Sequence, residues 1–122
     1  MKKVLIINSN YYKLISDNLA NNAVRKLTLA NFSISKIDVP GVFEIPIAIR
    51  KNIKKFDGFI ALGCVIKGQT PHFDFISQAS TDAIMKLAID SKKPIGNGII
   101  TCLNMKQAIA RQRKGREAAE AV

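Results

Sequence analysis

The chain has 122 residues, 48% of them hydrophobic and 23% charged, the balance of an ordinary globular chain, so one domain over residues 1–122 is expected and disorder is not. Every apolar stretch is far shorter than the ~20 residues that span a bilayer, which argues against a membrane protein. Nineteen Lys and Arg against nine Asp and Glu leave a net charge of +10, a sign that suits an anionic partner such as nucleic acid, a membrane surface or a phosphorylated metabolite, or merely a biased base composition.

Val4 to Ile7 reads as a buried strand, and Asn8, Ser9 and Asn10 behind it as a turn. Leu14, Ile15, Leu19, Ala23, Leu27 and Ala30 then recur at three- and four-residue spacing, which predicts a helix from Tyr12 to Ala30. Ser33 to Val39 alternates and predicts a second strand with Ile34, Ile37 and Val39 pointing inward. Pro40-Gly41 ends it, and Ile45, Ile49 and Ile53 mark a short helix to Lys55. Phe59 to Ile66 is the most continuous apolar run, bounded by Asp57-Gly58 and Lys67-Gly68, and predicts a central parallel strand apolar on both faces. His72 to Ser91 is helical again through Phe75, Ala79, Ala83, Ile84, Leu87 and Ala88. Ile95 to Cys102 is a fourth strand, and a single helix runs from Asn104, its N-cap, to the end.

Strand and helix alternate four times, so the expected fold is α/β, a four-stranded parallel sheet with helices on both faces and right-handed crossovers. Ligands of such sheets bind beyond the carboxyl ends of the strands. Chemistry is therefore expected in four segments: Asn8 to Tyr12, Pro40 to Glu44, Lys67 to His72, and Cys102 to Asn104.

Lys67-Gly68-Gln69-Thr70-Pro71-His72 sets a glycine, a hydroxyl and the chain's one histidine between a buried strand and a helix. Backbone N–H groups at a helix start beside Thr70 and Gly68 suit a phosphate, although Thr70 serves equally well as a plain cap. A histidine at the positive end of a helix is held toward the neutral imidazole, able to take a proton near pH 7. Glu44, in Pro40-Gly41-Val42-Phe43-Glu44-Ile45-Pro46, suits either a polyol or the helix dipole. Tyr11 and Tyr12 follow the first strand, where a flat ring stacks on a heterocycle or simply packs.

Other chemistries fit poorly. Gly63 to Thr70 imitates a P-loop, but Gln69 stands where the phosphate-binding lysine belongs, and Cys64, Val65 and Ile66 are strand. One histidine and two cysteines do not assemble a four-ligand zinc pattern. Cys64 and Cys102 sit in apolar runs with no secretory leader ahead of them, so free thiols in a reducing cytoplasm are expected, Cys64 being buried and inert. Arg111, Arg113, Lys114 and Arg116 crowd the last helix as a solvated face, a phosphate contact or a nucleic-acid contact. No aromatic residue interleaves them, which weakens the single-stranded nucleic-acid reading.

Three blocks then resemble one family, the lumazine synthases of riboflavin biosynthesis. They are Val39-Pro40-Gly41-Val42-Phe43-Glu44-Ile45-Pro46, Ala61-Leu62-Gly63-Cys64-Val65-Ile66-Lys67-Gly68-Gln69-Thr70-Pro71-His72-Phe73-Asp74, and Gln107-Ala108 with Arg111, followed by Lys114-Gly115 and an Ala-rich stretch. The resemblance covers nearly the whole chain. It implies a flavodoxin-like three-layer sandwich and a transferase that condenses 5-amino-6-ribitylaminouracil with 3,4-dihydroxy-2-butanone 4-phosphate, releasing phosphate and water, with no metal or organic cofactor.

The resemblance also implies roles. His72 is the general acid/base. Gly68, Gln69 and Thr70 hold the phosphate, with Arg111 from a neighbouring subunit. Phe43 and Glu44 meet the ribityl chain, Tyr11 stacks on the pyrimidine, and Lys114 comes from the neighbour. Val42, Val65, Ile66, Lys67 and Asn97 complete the substrate-binding set. The sites lie between subunits of a homopentamer, and some members pack twelve pentamers into a sixty-subunit shell. This chain departs from the pattern at Asn97, where a large apolar residue is common, in a short Arg111 to Lys114 connection, and in a final helix that is expected to run beyond Val122. Two other classes fit some features: a basic module for nucleic acid or another polyanion fits the charge, and a flavin carrier fits the fold.

Overall fold

The computed structural model describes residues 1–68, 72–111 and 113–122, the side chains of His72 and Phe73 excepted. The elements are β1 (Lys3–Ser9), α1 (Lys13–Leu29), β2 (Ser33–Val39), a 3-10 turn (Val42–Glu44), α2 (Ile45–Asn52), β3 (Gly58–Ile66), α3 (His72–Ser91), β4 (Ile95–Cys102), α4 (Met105–Ala110) and α5 (Lys114–Ala121). The strands form one parallel sheet in the order β2-β1-β3-β4. Val4 of β1 lies opposite Ile34 of β2 and Gly58 of β3, and Gly63 of β3 lies opposite Ile99 of β4.

The central strands explain the apolar runs. Val4 to Ile7 and Phe59 to Leu62 are buried on both faces because β1 and β3 each have strands on either side and helices above and below. On one face, Val4, Ile6, Ile60 and Leu62 pack with Ile15, Leu19, Ala23 and Leu27 of α1 and Ala118 and Ala119 of α5. On the other, Leu5, Ile7, Phe59 and Ala61 pack with Ile45 and Ile49 of α2 and Ile84 of α3. Burial of each large aliphatic or aromatic side chain is worth about 1.5–3 kcal/mol, so the two layers hold the sheet between them. This is the expected α/β three-layer, flavodoxin-like arrangement. Among the described residues no helix is long and apolar enough to cross a membrane.

Several boundaries differ from the sequence reading. β1 runs on through Asn8 and Ser9, which pair with Asp38 and Val39 of β2, so ladder hydrogen bonding overrides their turn preference. Ile37 is 37% exposed because β2 is an edge strand. Leu14 and Ala30 lie on the outer side of α1. α2 stops at Asn52, and its end is held by Lys93 Nζ, which donates to the carbonyls of Ile53 and Phe56. In α3 the inward face is Ile76, Ser80, Ile84 and Leu87, while Phe75 and Ala79 point out. That helix is apolar on two sides, and packing against α2 chose one of them.

The expected last helix is two helices. Asn104 caps α4, its Oδ1 accepting from the Gln107 N–H at 2.9 Å, and Gln107 Oε1 reaches back to the Leu103 N–H at 2.8 Å. At Arg111 the N–H is shared between the Gln107 and Ala108 carbonyls, and the backbone leaves the helix. The chain then restarts as α5, whose Gly115 lies so close to α1 that a Cβ there would stand 1.9 Å from the Leu19 carbonyl oxygen.

Candidate functional site

In the order β2-β1-β3-β4 the connections leave β1 and β3 in opposite directions, so a crevice opens between their carboxyl ends. A cavity of about 820 Å³ occupies it. β1 contributes Ser9, followed by Tyr11 and Tyr12; the turn after β2 contributes Pro40, Gly41, Val42, Phe43 and Glu44; the end of β3 contributes Cys64, Val65 and Ile66, then Gly68; and α3 contributes Ile76.

The sequence explains each placement. β1 ends at Ser9, so Tyr11 falls in the turn before α1, 74% exposed, with its ring edge-on to that of Tyr12 at 5.0 Å. The Pro40-Gly41 break sends the chain into the 3-10 turn, which anchors Val42 in the core and leaves Phe43 67% exposed over the cavity. Glu44 folds back over that turn. An added Cβ at Gly41 would stand 3.1 Å from its Oε2, which is buried with no hydrogen-bond partner among the described residues. Val65 and Ile66 are half-buried at the end of β3, and Lys67 is exposed outside the cavity lining, its N–H donating to the Cys102 carbonyl. Gly68 faces open space. Gln69 and Thr70 lie outside the described residues. His72 opens α3, and its side chain likewise lies outside the description.

Seven expected residues therefore line one cavity: Tyr11, Val42, Phe43, Glu44, Val65, Ile66 and Gly68. Arg111 and Lys114 do not. They line a second cavity of about 710 Å³ along β4, between α4 and α5, with Arg113 and Arg116. Arg111 Nη1 donates to the Thr101 carbonyl at 3.1 Å, and Lys114 pairs with Glu117 at 3.0 Å. Arg116 pairs with Glu120, so acids on α5 temper the positive cluster. Asn97 lines neither cavity. It sits opposite Ala61 on β4, and its Oδ1 accepts from the Ile99 N–H at 3.0 Å.

Sequence reading placed Ser9 in a segment expected to carry chemistry without singling it out, and missed Cys64 and Ile76 as cavity residues. The signal for Ser9 was the period-two alternation of β1, which puts it on the same face as Leu5 and Ile7. Cys64 is a wall and no nucleophile: burial first, then the neighbouring Cys102 thiol, push its pKa up to about 12, so it stays protonated at neutral pH. Burial, with smaller contributions from Tyr11 and Cys64, also raises the pKa of Tyr12. Among the described residues no three His, Cys, Asp or Glu side chains gather as a metal site.

Known proteins resemble the chain from end to end. The family model for 6,7-dimethyl-8-ribityllumazine synthase matches residues 1–122. A 6,7-dimethyl-8-ribityllumazine synthase of Bartonella tribocorum is 44% identical over 126 aligned positions, covering 97% of this chain and 83% of that one. Another from Corynebacterium kroppenstedtii is 37% identical, covering 95% and 77%. Among solved structures, a flavone reductase chain aligns at a TM-score of 0.47 and 13% identity, over 99% of this chain and 62% of that one. The match through every residue, together with relatives that are themselves covered over most of their length, establishes that the chain belongs to the 6,7-dimethyl-8-ribityllumazine synthase family.

Proposed function

We infer that the chain is a transferase that condenses 5-amino-6-ribitylaminouracil with 3,4-dihydroxy-2-butanone 4-phosphate to 6,7-dimethyl-8-ribityllumazine, phosphate and water, the penultimate step of riboflavin biosynthesis. The observation that carries this is family membership over residues 1–122, joined to a cavity at the sheet's switch point lined by an aromatic ring, a carboxylate and a glycine turn.

Within it, Tyr11 stacks on the pyrimidine, Phe43 and Glu44 meet the ribityl chain, and Val42, Val65 and Ile66 form the apolar wall. Gly68, Gln69 and Thr70 take the phosphate, with Lys67 adding positive charge beside them. His72, at the start of α3, moves protons between the reacting groups. Much of the rate comes from holding two reactants in one site, where effective molarities are high, and the proton shuttle adds to it.

The active assembly is a homopentamer in the cytoplasm, with the sixty-subunit shell as its larger form. Arg111 and Lys114 serve the cavity of an adjacent subunit, and Asn97 is a further substrate-binding residue. Support for a partner copy comes from the separation of Arg111 and Lys114 from the first cavity in this chain, and from the exposed Phe75, Met85 and Ile89 along α3. The test is direct: both substrates are mixed with the protein, and lumazine formation is followed against a no-enzyme control and His72→Ala. A wild-type rate above the control, lost in His72→Ala, is expected; a wild-type rate equal to the control would overturn the reading.

A further inference from the structure

The wall of the first cavity holds a hydroxyl that the roles above leave unused. Ser9 ends β1, is 1% exposed, and its Oγ has no hydrogen-bond partner among the described residues. It sits against Gly63, where an added Cβ would stand 3.0 Å from Ser9 Cβ and 2.8 Å from Val42 Cγ2. The serine is thus lodged between β3 and the 3-10 turn, on the wall that Glu44 shares. Glu44 Oε2 is the other partnerless buried atom on that wall; the remaining ones, on Asn8, Ser16, Ser77 and Ser80, lie outside the cavity lining.

A buried hydroxyl without a partner costs a folded chain about 1–3 kcal/mol. Alanine fits the same space without that cost, so the Ser9 hydroxyl weakens the free chain unless a ligand uses it. Its chemistry narrows the ligand. Glu44 disfavours an anion beside it and accepts from hydroxyl donors, whereas a serine hydroxyl both donates and accepts, as does each hydroxyl of a polyol. We propose that Ser9 Oγ is a substrate-binding group that, together with Glu44, hydrogen-bonds the polyol of the heterocyclic substrate. Its oxygen is buried just beneath the cavity surface, so a ligand that uses it presses into that wall. The inference rests on the function proposed above.

Ser9→Ala tests it with two readouts of opposite sign. The melting temperature of the free variant stays the same or rises, because an unmet hydroxyl is gone. Its KM for ribitylaminouracil rises about three- to tenfold, the loss of one ordinary hydrogen bond, while kcat and the KM for the four-carbon phosphate stay within about twofold. The melting shift produced by saturating ribitylaminouracil shrinks correspondingly. An active wild type with an unchanged KM in Ser9→Ala would overturn this inference alone, as would a lower melting temperature with that KM unchanged. A wild type that forms no lumazine would overturn the functional reading, and this inference with it.

Discussion

Gly96 of β4 and Ala118 of α5 touch through their backbones: a Cβ at Gly96 would stand 2.0 Å from the Ala118 carbonyl oxygen. No side-chain rotation relieves such a clash, so α5 has to move off the sheet. Gly96→Ala is expected to destabilise the chain by about 3 kcal/mol or more, the upper end of overpacking costs. Urea unfolding midpoints check this. Because α5 carries Lys114, which the proposed function assigns to an adjacent subunit's site, lumazine formation should fall alongside stability.

His72→Ala removes a group proposed to shuttle protons but keeps the described residues that line the cavity. The rate is expected to drop by ~10²–10⁴, the usual worth of general acid–base catalysis. Residual activity above the uncatalysed rate should persist, since proximity of the two substrates survives. Single-turnover measurement with both substrates saturating isolates that effect. A wild-type rate in the variant would remove His72 from the mechanism.

Tyr11 offers a separation of stability from binding. The residue is 74% exposed, so Tyr11→Ala should leave the melting temperature nearly unchanged. Loss of the stacking surface should raise the KM for ribitylaminouracil at least about fivefold, an aromatic contact of about 1 kcal/mol. Tyr11→Phe keeps the ring and should bind like wild type. Steady-state kinetics on the three proteins decide the point, and equal KM values throughout would rule out stacking.

How far these residues were legible in the sequence depended on what fixes each of them. Phe59 to Ile66 was readable because a strand buried on both faces needs no partner to declare itself. The Asn104 cap was readable because its chemistry is local. Ser9 was not, since its turn preference is local while the ladder with Val39 that keeps it in β1 is not. Phe75 and Ile76 are adjacent and both apolar, so only packing decided which faced the core. The break at Arg111 depends on the fit of Gly115 to Leu19, a contact 96 positions away along the chain. The motif residues of the cavity came together because the switch point lies between β1 and β3 and the turn after β2, the neighbour of β1, reaches the same crevice. Arg111 and Lys114 lie apart from it for the same topological reason, along β4 on the outer side of the sheet.

Alkaline stability follows from the buried thiol. The pKa of Cys64 goes from an ordinary 9.0 to about 12 on folding, so between those values the unfolded chain has lost a proton that the folded chain retains. The folded state binds more protons there, and stability falls as pH rises through that window, the full contribution being present below about pH 9. Tyr12, also raised, acts in the same sense. Cys64→Val should therefore flatten, without abolishing, the loss of stability between pH 9 and 11. Urea midpoints at several pH values show it, and parallel curves for the two proteins would contradict it.

The division of the proposed site between subunits can be tested by mixing two inactive proteins. His72→Ala removes the proposed proton shuttle, and Arg111→Ala spoils the cluster along β4, which lines a cavity other than the one at the carboxyl ends of β1 and β3. If each working site draws His72 from one subunit and Arg111 from the next, a mixed ring contains junctions where both intact residues meet. Random assembly of equal amounts places them together at about one junction in four, as cyclic symmetry with one type of contact requires. Co-refolded mixtures should thus recover about a quarter of wild-type activity, while each variant refolded alone stays low. A site built within one chain gives a different result, because every chain in the mixture then carries one defect. Recovery no greater than the average of the two separate variants would exclude sharing.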